Sequence, residues 1–496
     1  MTVLNLPDVL YSPIIFMVAI ISLYFVYGRR HKSNKFPPGV RGIPVVGVIP
    51  FVGKYPERKF LKWSKKHGEI MSVQMGMSDW IILNSLESIN EALAKQPTKF
   101  SGRPTQPVYH QIDAGYGIIL TDYGALWKSQ RKFGLMTLRG FGVGKKSMED
   151  RIREEATYLN EKIRKQGQKA FDIADLLPFA VSNIICGVVF GKQYDYDDPF
   201  FKKIVTAVLE MFGSLMINTA VTIMSFAPIL MHIPPFTIAN RMFAAKINTI
   251  NEIVTDIIDE HEKTFGPDHP RDFIDAFLKE KRIGTPCFTN DQLMAYARHL
   301  FIAGTETTSS TLSWAILCLV HYPQIQKKLR NEILEVQGAG FGSFDRSKMP
   351  YTNAFIHELM RFRTVAPLGV PHKLSEDSEI YGYVIPKGTQ VLTNLWAVHH
   401  DPSYWDDPET FNPDRFIDKK GEFVKSNHVI PFSVGPRFCL GEQLARMEVF
   451  IFLVSIVQKF EILPDPDAGK LPDINDGING VVFTPKPYKI LCKELE

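Results

Sequence analysis

A chain of 496 residues, 45% hydrophobic and 22% charged, is long enough to bury a large core. Its formal net charge of +4 is too small to argue for a nucleic-acid partner. Its five cysteines (Cys186, Cys287, Cys318, Cys439 and Cys492) lie far apart with no Cys-x-x-Cys pair, which argues against a zinc ribbon, a dithiol redox site or covalently attached c-type haem and suits a reducing compartment.

Residues 9–27 form an almost unbroken apolar run, interrupted only by Ser12, Pro13 and Ser22 and about long enough to cross a bilayer once. Arg29, Arg30, Lys32 and Lys35 follow it and Asp8 precedes it, so the positive-inside rule sets the bulk of the chain in the cytosol. A cleaved secretory signal would carry its basic residues on the other side and a small-residue cleavage site, and neither is present. Residues 1–28 are therefore expected to be a transmembrane signal-anchor. Residues 29–47 read as a basic linker, stiffened by Pro37, Pro38 and Pro44 and turned by Gly39 and Gly42. Residues 48–496 read as one large domain.

Within it, the alternating runs at 70–75 and 80–83 predict two strands between helices. Residues 100–119 show no clear periodicity, and so long an irregular stretch is usually functional. Trp127 and Arg131 then stand four apart on one helical face. Lys128, Lys132, Arg139, Lys145 and Lys146 make this region basic, which fits either a solvated face or a surface that steers an acidic electron donor. Helical patterns cover 148–165 and 179–190. Residues 226–236 are apolar and broken by prolines, and a long amphipathic helix follows to Phe265.

A long helix is predicted from Asn290 to about Val320. Inside it, residues 303–308 read Ala-Gly-Thr-Glu-Thr-Thr. This is poor helix design, because Gly costs about 1 kcal/mol against Ala and Thr bonds back to carbonyls. Such a local lapse points to a functional site, although a harmless kink would look the same. Glu358 and Arg361, three apart, can pair on a further helix. Residues 365–372 read as extended, 381–391 as a hairpin with Gly388 in its second half, and 477–482 as a turn between strands.

Near the C-terminus Cys439 sits in a Gly-rich and Pro-containing loop just before an apolar helix that includes Leu444, Val449, Phe450 and Leu453. Backbone N–H groups and the helix dipole at such a place favour a thiolate. Gly435 and Gly441 let the backbone approach a flat, bulky group, and Arg437 has the planar fork to pair with its carboxylates. That combination suits a thiolate ligand of a haem iron. A buried, inert cysteine before an amphipathic helix is the alternative.

The pattern Phe432-x-x-Gly435-x-Arg437-x-Cys439-x-Gly441 resembles the haem loop of the cytochrome P450 family at every position, and residues 303–307 resemble that family's oxygen-side helix. The segments around 183–191 and 270–278 resemble its microsomal family-2 members. The resemblance implies a mainly α fold with small β-sheets, preceded by a single N-terminal transmembrane helix. It implies haem b with Cys439 as metal ligand, and Phe432, Gly435, Arg437, Gly441, Trp127, Arg131 and His372 as cofactor-binding residues. Gly304 would leave room over the iron, while Thr307 and Glu306 would bond the oxygen being activated and deliver protons. Ala303, Val365, Ala366, Leu368, Val370, Ile478 and Val481 would line the substrate pocket. Glu358, Arg361 and Arg415 would lock the frame behind the haem loop. One departure is Ala114 before Gly115-Tyr-Gly117, where some relatives carry a propionate-binding Arg.

The implied activity is O2-dependent monooxygenation of a lipophilic substrate at the endoplasmic reticulum membrane. Residues 123–155 look most like the branch that includes long-chain fatty-acid hydroxylases. Electrons would come from NADPH through a separate flavoprotein reductase, with cytochrome b5 as a further donor, since no Gly-x-Gly-x-x-Gly fingerprint occurs. The rivals are a haem-thiolate isomerase, which would need no reductase, and a non-catalytic haem sensor or carrier.

Overall fold

The computed structural model describes residues 35–43, 46–105, 110, 113–213, 215–226, 228–266, 268–337 and 345–495. The apolar run at 9–27, and with it the expected anchor, lies outside them. Among the described residues no helix is long and apolar enough to cross a membrane. Among the described residues helices dominate, joined by one five-stranded sheet and three two-stranded ones.

Six helices position the site: α1 (Ala125–Gly140), α2 (Leu177–Val189), α3 (Phe236–Thr264), α4 (Asn290–His321), α5 (Pro350–Phe362) and α6 (Glu442–Lys459). In α3 the buried Ile247, Ile250, Val254, Ile257 and His261 recur every three or four residues and form one core-facing stripe. Helix α4 starts where the Thr289 side chain accepts a hydrogen bond from the Gln292 amide at 3.3 Å. It stops at Tyr322, because the residue before Pro323 is driven out of helical geometry. Helix α6 is the apolar helix expected after Cys439. Residues 449–454 are all buried, so it is apolar on every side and runs through the core, packed on α4. The proline-broken stretch holds a short 3-10 turn, Pro228–His232, before α3.

The large sheet runs in the order β1 (Gly39–Val40), β2 (Ile70–Met75), β3 (Ser78–Leu83), β7 (Gln390–Thr393) and β4 (His372–Lys373). Strands β2 and β3 form an antiparallel hairpin with Ile70 opposite Leu83, and β3 pairs in parallel with β7. Two expectations are corrected here. The second part of the linker belongs to the domain: Gly39 and Val40 pair with Ser72 and Val73, and the Ser72 hydroxyl donates to the Pro37 carbonyl at 2.9 Å. A side chain on Gly39 would overlap the Ser72 carbonyl, so glycine is required for this approach. The hairpin predicted at 381–391 is instead β5 (Ser378–Ile380) with β6 (Tyr383–Ile385), turned by Tyr381 and Gly382 at φ 48° and 83°. Gly388 does turn the chain, at φ 81°, but it sends β7 into the other sheet.

Candidate active site

The loop carrying Cys439 is closed by its own backbone. The Ser433 amide donates to Ile430, Phe438 to Gly435 and Cys439 to Phe432, at 2.9–3.1 Å. Ser433 and Gly435 take φ of 63° and 76°. A Cβ at Gly435 would lie 2.1 Å from the Leu93 carbonyl oxygen, so this glycine serves contact with the chain itself rather than approach to a flat group. Gly441, the residue before α6, differs. Its φ is an ordinary −93° and a Cβ there would meet open space. Neither strain nor packing within the chain asks for glycine at 441, which leaves room for a group outside the polypeptide.

Cys439 is exposed along one side, yet protein encloses it closely enough that burial pushes its thiol pKa up, with the Gly441 N–H opposing. Burial thus opposes the thiolate that the backbone N–H at the helix start favours. A metal cation at the sulfur would hold the thiolate form.

On α4, Ala303 is exposed and Gly304 and Thr307 are half-buried, within a helix otherwise buried through its centre. The Thr307 hydroxyl donates to the Ala303 carbonyl at 2.8 Å, so both lie on the one open face. Glu306 is buried. Its Oε1 accepts from Ser310 at 3.4 Å and its Oε2 has no partner. Burial raises its pKa to about 7. Gly304 is a correction: a Cβ there would lie 2.5 Å from Cδ1 of Ile185 in α2, so its smallness admits the neighbouring helix and does not clear space over an iron. Beside it the Ser182 and Thr305 hydroxyls meet at 3.0 Å across the same helix pair.

A cationic cluster lies next to the cysteine loop. Arg437 is buried and donates to the carbonyls of Ser101 (3.0 Å), Ile118 (3.4 Å) and Thr121 (2.7 Å), and it stacks 4.1 Å over Trp127. The Trp127 ring N–H donates to the same Ile118 carbonyl at 3.2 Å. No carboxylate pairs with Arg437 among the described residues. Burial, with Arg103 adding to it, pulls its pKa down to about 8. His372 is buried nearby, with Nδ1 2.7 Å from the Phe100 carbonyl. Burial and the charges of Arg103 and Arg437 keep that ring neutral. With Nδ1–H so engaged, Nε2 can donate to a carboxylate only once the ring takes a second proton.

Arg103 is a site residue that sequence reasoning passed over. It is buried and donates to Ile119 and Pro371 at 2.9 and 2.8 Å. Its signal was a single Arg near the start of the irregular stretch, three residues after Phe100. Arg131 stands apart from this cluster, donating to the Phe438 carbonyl at 2.6 Å and lying over the Phe438 ring. Two buried guanidiniums beside a histidine, an exposed cysteine and an open Gly441 fit a flat prosthetic group bearing carboxylates.

Behind the loop, Arg361 grips Glu358 with two bonds of 2.7 and 2.8 Å, both side chains fully buried, and Arg415 reaches Glu358 at 3.3 Å. Arg361 also donates to the His399 carbonyl at 2.7 Å, and His399 Nε2 accepts from the Ile430 amide at 2.8 Å. This chain of contacts runs from α5 to the start of the cysteine loop. Of the expected pocket residues, Val365, Ala366, Leu368 and Ile478 are half-buried, while Val370 and Val481 are exposed. The Val365 carbonyl accepts from the Phe483 amide at 2.8 Å, tying this segment to the turn of β8 (Gly477–Ile478) and β9 (Thr484–Pro485).

Residues 37–492 match the family model of cytochrome P450. The chain is 39% identical over 466 residues to cytochrome P450 2J3 of Rattus norvegicus, covering 92% of this chain and 91% of that one. It is 39% identical over 452 residues to cytochrome P450 2J2 of Homo sapiens, covering 89% and 88%. Against cytochrome P450 2B4 of Oryctolagus cuniculus the identity is 36% over 485 residues, covering 96% and 97%. A cysteine loop, a mid-helix opening and a buried cationic cluster on a chain related over nearly its full length show that this protein belongs to the cytochrome P450 family, and is an oxidoreductase of the monooxygenase type.

Proposed function

We propose that Cys439 ligates the iron of haem b, and that the enzyme inserts one atom of O2 into a lipophilic substrate while the other leaves as water. The observation that carries this is Arg437, two residues from the exposed cysteine, buried against three carbonyls with no carboxylate partner among the described residues. Haem propionates are the anions that fit it; Trp127 holds the Ile118 carbonyl beside Arg437 and His372 holds the Phe100 carbonyl, so these two shape the cluster and would donate to a propionate only on releasing a carbonyl or taking a second proton. Arg131 supports the loop from the Phe438 side. When bound, the haem supplies the redox centre, and a thiolate ligand favours O–O cleavage.

Two electrons and two protons balance the reaction, RH + O2 giving ROH + H2O. Glu306, with its pKa raised to about 7, both accepts and releases a proton near neutral pH. Thr307 must turn its hydroxyl away from the Ala303 carbonyl to donate toward the open face. The electrons are proposed to come from NADPH through a separate flavoprotein reductase, with cytochrome b5 as an alternative donor. Lys128, Lys132, Arg139, Lys145 and Lys146, all exposed, offer an acidic donor a landing surface. Residues 9–27 and the basic residues after them support single-pass anchoring in the endoplasmic reticulum membrane with this domain in the cytosol. Exposed Ile233, Ile238 and Met242 give the domain an apolar patch for the bilayer.

A long-chain polyunsaturated fatty acid is the first substrate to test. Reconstituted with reductase and NADPH under isotopically labelled O2, the enzyme is expected to give product carrying one labelled atom. Absence of oxygenated product contradicts this substrate class. Product formed equally without NADPH points to an isomerase instead.

A further inference from the structure

The irregular segment at 113–121 hangs between two anchors. On one side, the Ile118 carbonyl accepts from both Trp127 and Arg437, and the Thr121 carbonyl accepts from Arg437. On the other side, the segment is fastened to α4 one turn before Ala303. Nδ1 of buried His299 lies 3.1 Å from the Ile118 amide and 3.4 Å from the Ile119 amide, and both of those groups can only donate. Nδ1 is therefore the acceptor, so Nε2 carries the proton and points it at the Asp113 carboxylate, 3.3 Å away and off the best hydrogen-bonding line. Gln292, two helical turns earlier, donates to the Gly117 carbonyl and accepts from its amide, at 2.9 and 3.0 Å. Gly117, at φ 81°, cannot carry a side chain, because a Cβ would lie 2.3 Å from His299 Nδ1.

We propose that His299 is a positioning residue for the proposed monooxygenase reaction: its neutral ring clasps the 113–121 segment to α4 and so holds the Ile118 carbonyl where Trp127 and Arg437 need it, and protonation of the ring releases the clasp. The inference rests on the functional reading above. Its logic is that a protonated Nδ1 would face two N–H groups with a third, and no acceptor would remain for them. The charged groups acting on the ring are Asp113 from the segment and Arg298 from its own helix, whose guanidinium is taken up by Asn251 of α3. Burial lowers the ring's pKa from its ordinary 6.5, Arg298 adds to this, and Asp113 opposes it. A lowered value means that the clasp is intact above pH 6.5 and is lost as pH falls through the folded-state value.

Hydrogen exchange of the segment, in the haem-loaded enzyme and corrected for intrinsic rates, tests this. Between roughly pH 7.5 and roughly pH 5 exchange is expected to rise about tenfold in the parent. His299→Asn keeps an acceptor oxygen near the Nδ1 position without a titrating ring, so its segment is expected to stay protected at both pH values. His299→Leu is expected to exchange fast at both. Asp113→Asn removes the charge that favours the protonated ring, so opening should need a lower pH. Exchange in the parent that ignores pH, or Asn and Leu variants that behave alike, would overturn the proposal. If the leucine variant does not fold, the parent's pH dependence and the His299→Asn result still decide. An unchanged reduced-CO spectrum in each variant shows that haem ligation stands, so failure here is distinct from failure of the functional reading.

Discussion

Glu306 and Glu448 are two buried carboxyl groups with different tasks. Glu306 has an unpartnered oxygen and a pKa of about 7, which suits a group that trades protons. Glu306→Gln keeps the shape and removes the exchangeable acid, so turnover should fall by about a hundredfold while haem content is unchanged. Glu448 of α6 is enclosed completely; burial pushes its pKa well above 4.5, against a hydrogen bond with Thr308. A raised value means that stability is full at low pH and falls as pH rises through the folded-state pKa. The parent's Tm is therefore expected to fall as pH rises from about 4.5 through the folded-state value, and Glu448→Gln to flatten that decline. The first residue was legible from its helix-breaking neighbours. The second was not, because Glu448 sits in an ordinary helical sequence and only the packing of α6 on α4 enclosed it.

At the scale of elements, Gly304 separates two explanations. The sequence shows a glycine inside a helix and cannot say which face it occupies. The structure turns it toward Ile185, with 2.5 Å available for a Cβ. Gly304→Ala should destabilise the domain by about 1–3 kcal/mol through overpacking, and Ile185→Ala in the same chain should recover most of that loss. A Tm comparison of the single and double variants checks it; no recovery would mean that the glycine serves some other neighbour. The hairpin shifted to 378–385 has a similar lesson. Gly388 marked a turn correctly, but β7 found its partner in β3, some three hundred residues earlier in the chain.

Across the whole molecule, the cysteine loop is held by partners that are remote in sequence. Glu358 pairs with both Arg361 and Arg415, and Arg361 reaches Ile430 through His399. Removing the acid leaves a fully buried Arg361 uncompensated, so Glu358→Ala should cost about 3–5 kcal/mol and lower haem retention together with Tm. Haem content that survives such a loss of stability would argue against the link to the loop. The motif Glu-x-x-Arg gave this network only through resemblance, since charge spacing on one helix carries no information about Arg415 or His399. The same holds for the boundary of the domain. Pro37, Pro38 and Gly39 look like linker chemistry, and only the pairing with Ser72 and Val73 makes them part of the sheet.

Whether Cys439 ligates a haem iron is decided most directly by the difference spectrum of the dithionite-reduced, CO-bound protein, with Cys439→Ser measured alongside. Thiolate ligation predicts a strongly red-shifted Soret band in the parent that disappears in the variant. A parent band at the position of histidine-ligated haem, or a red-shifted band that survives Cys439→Ser, would contradict it.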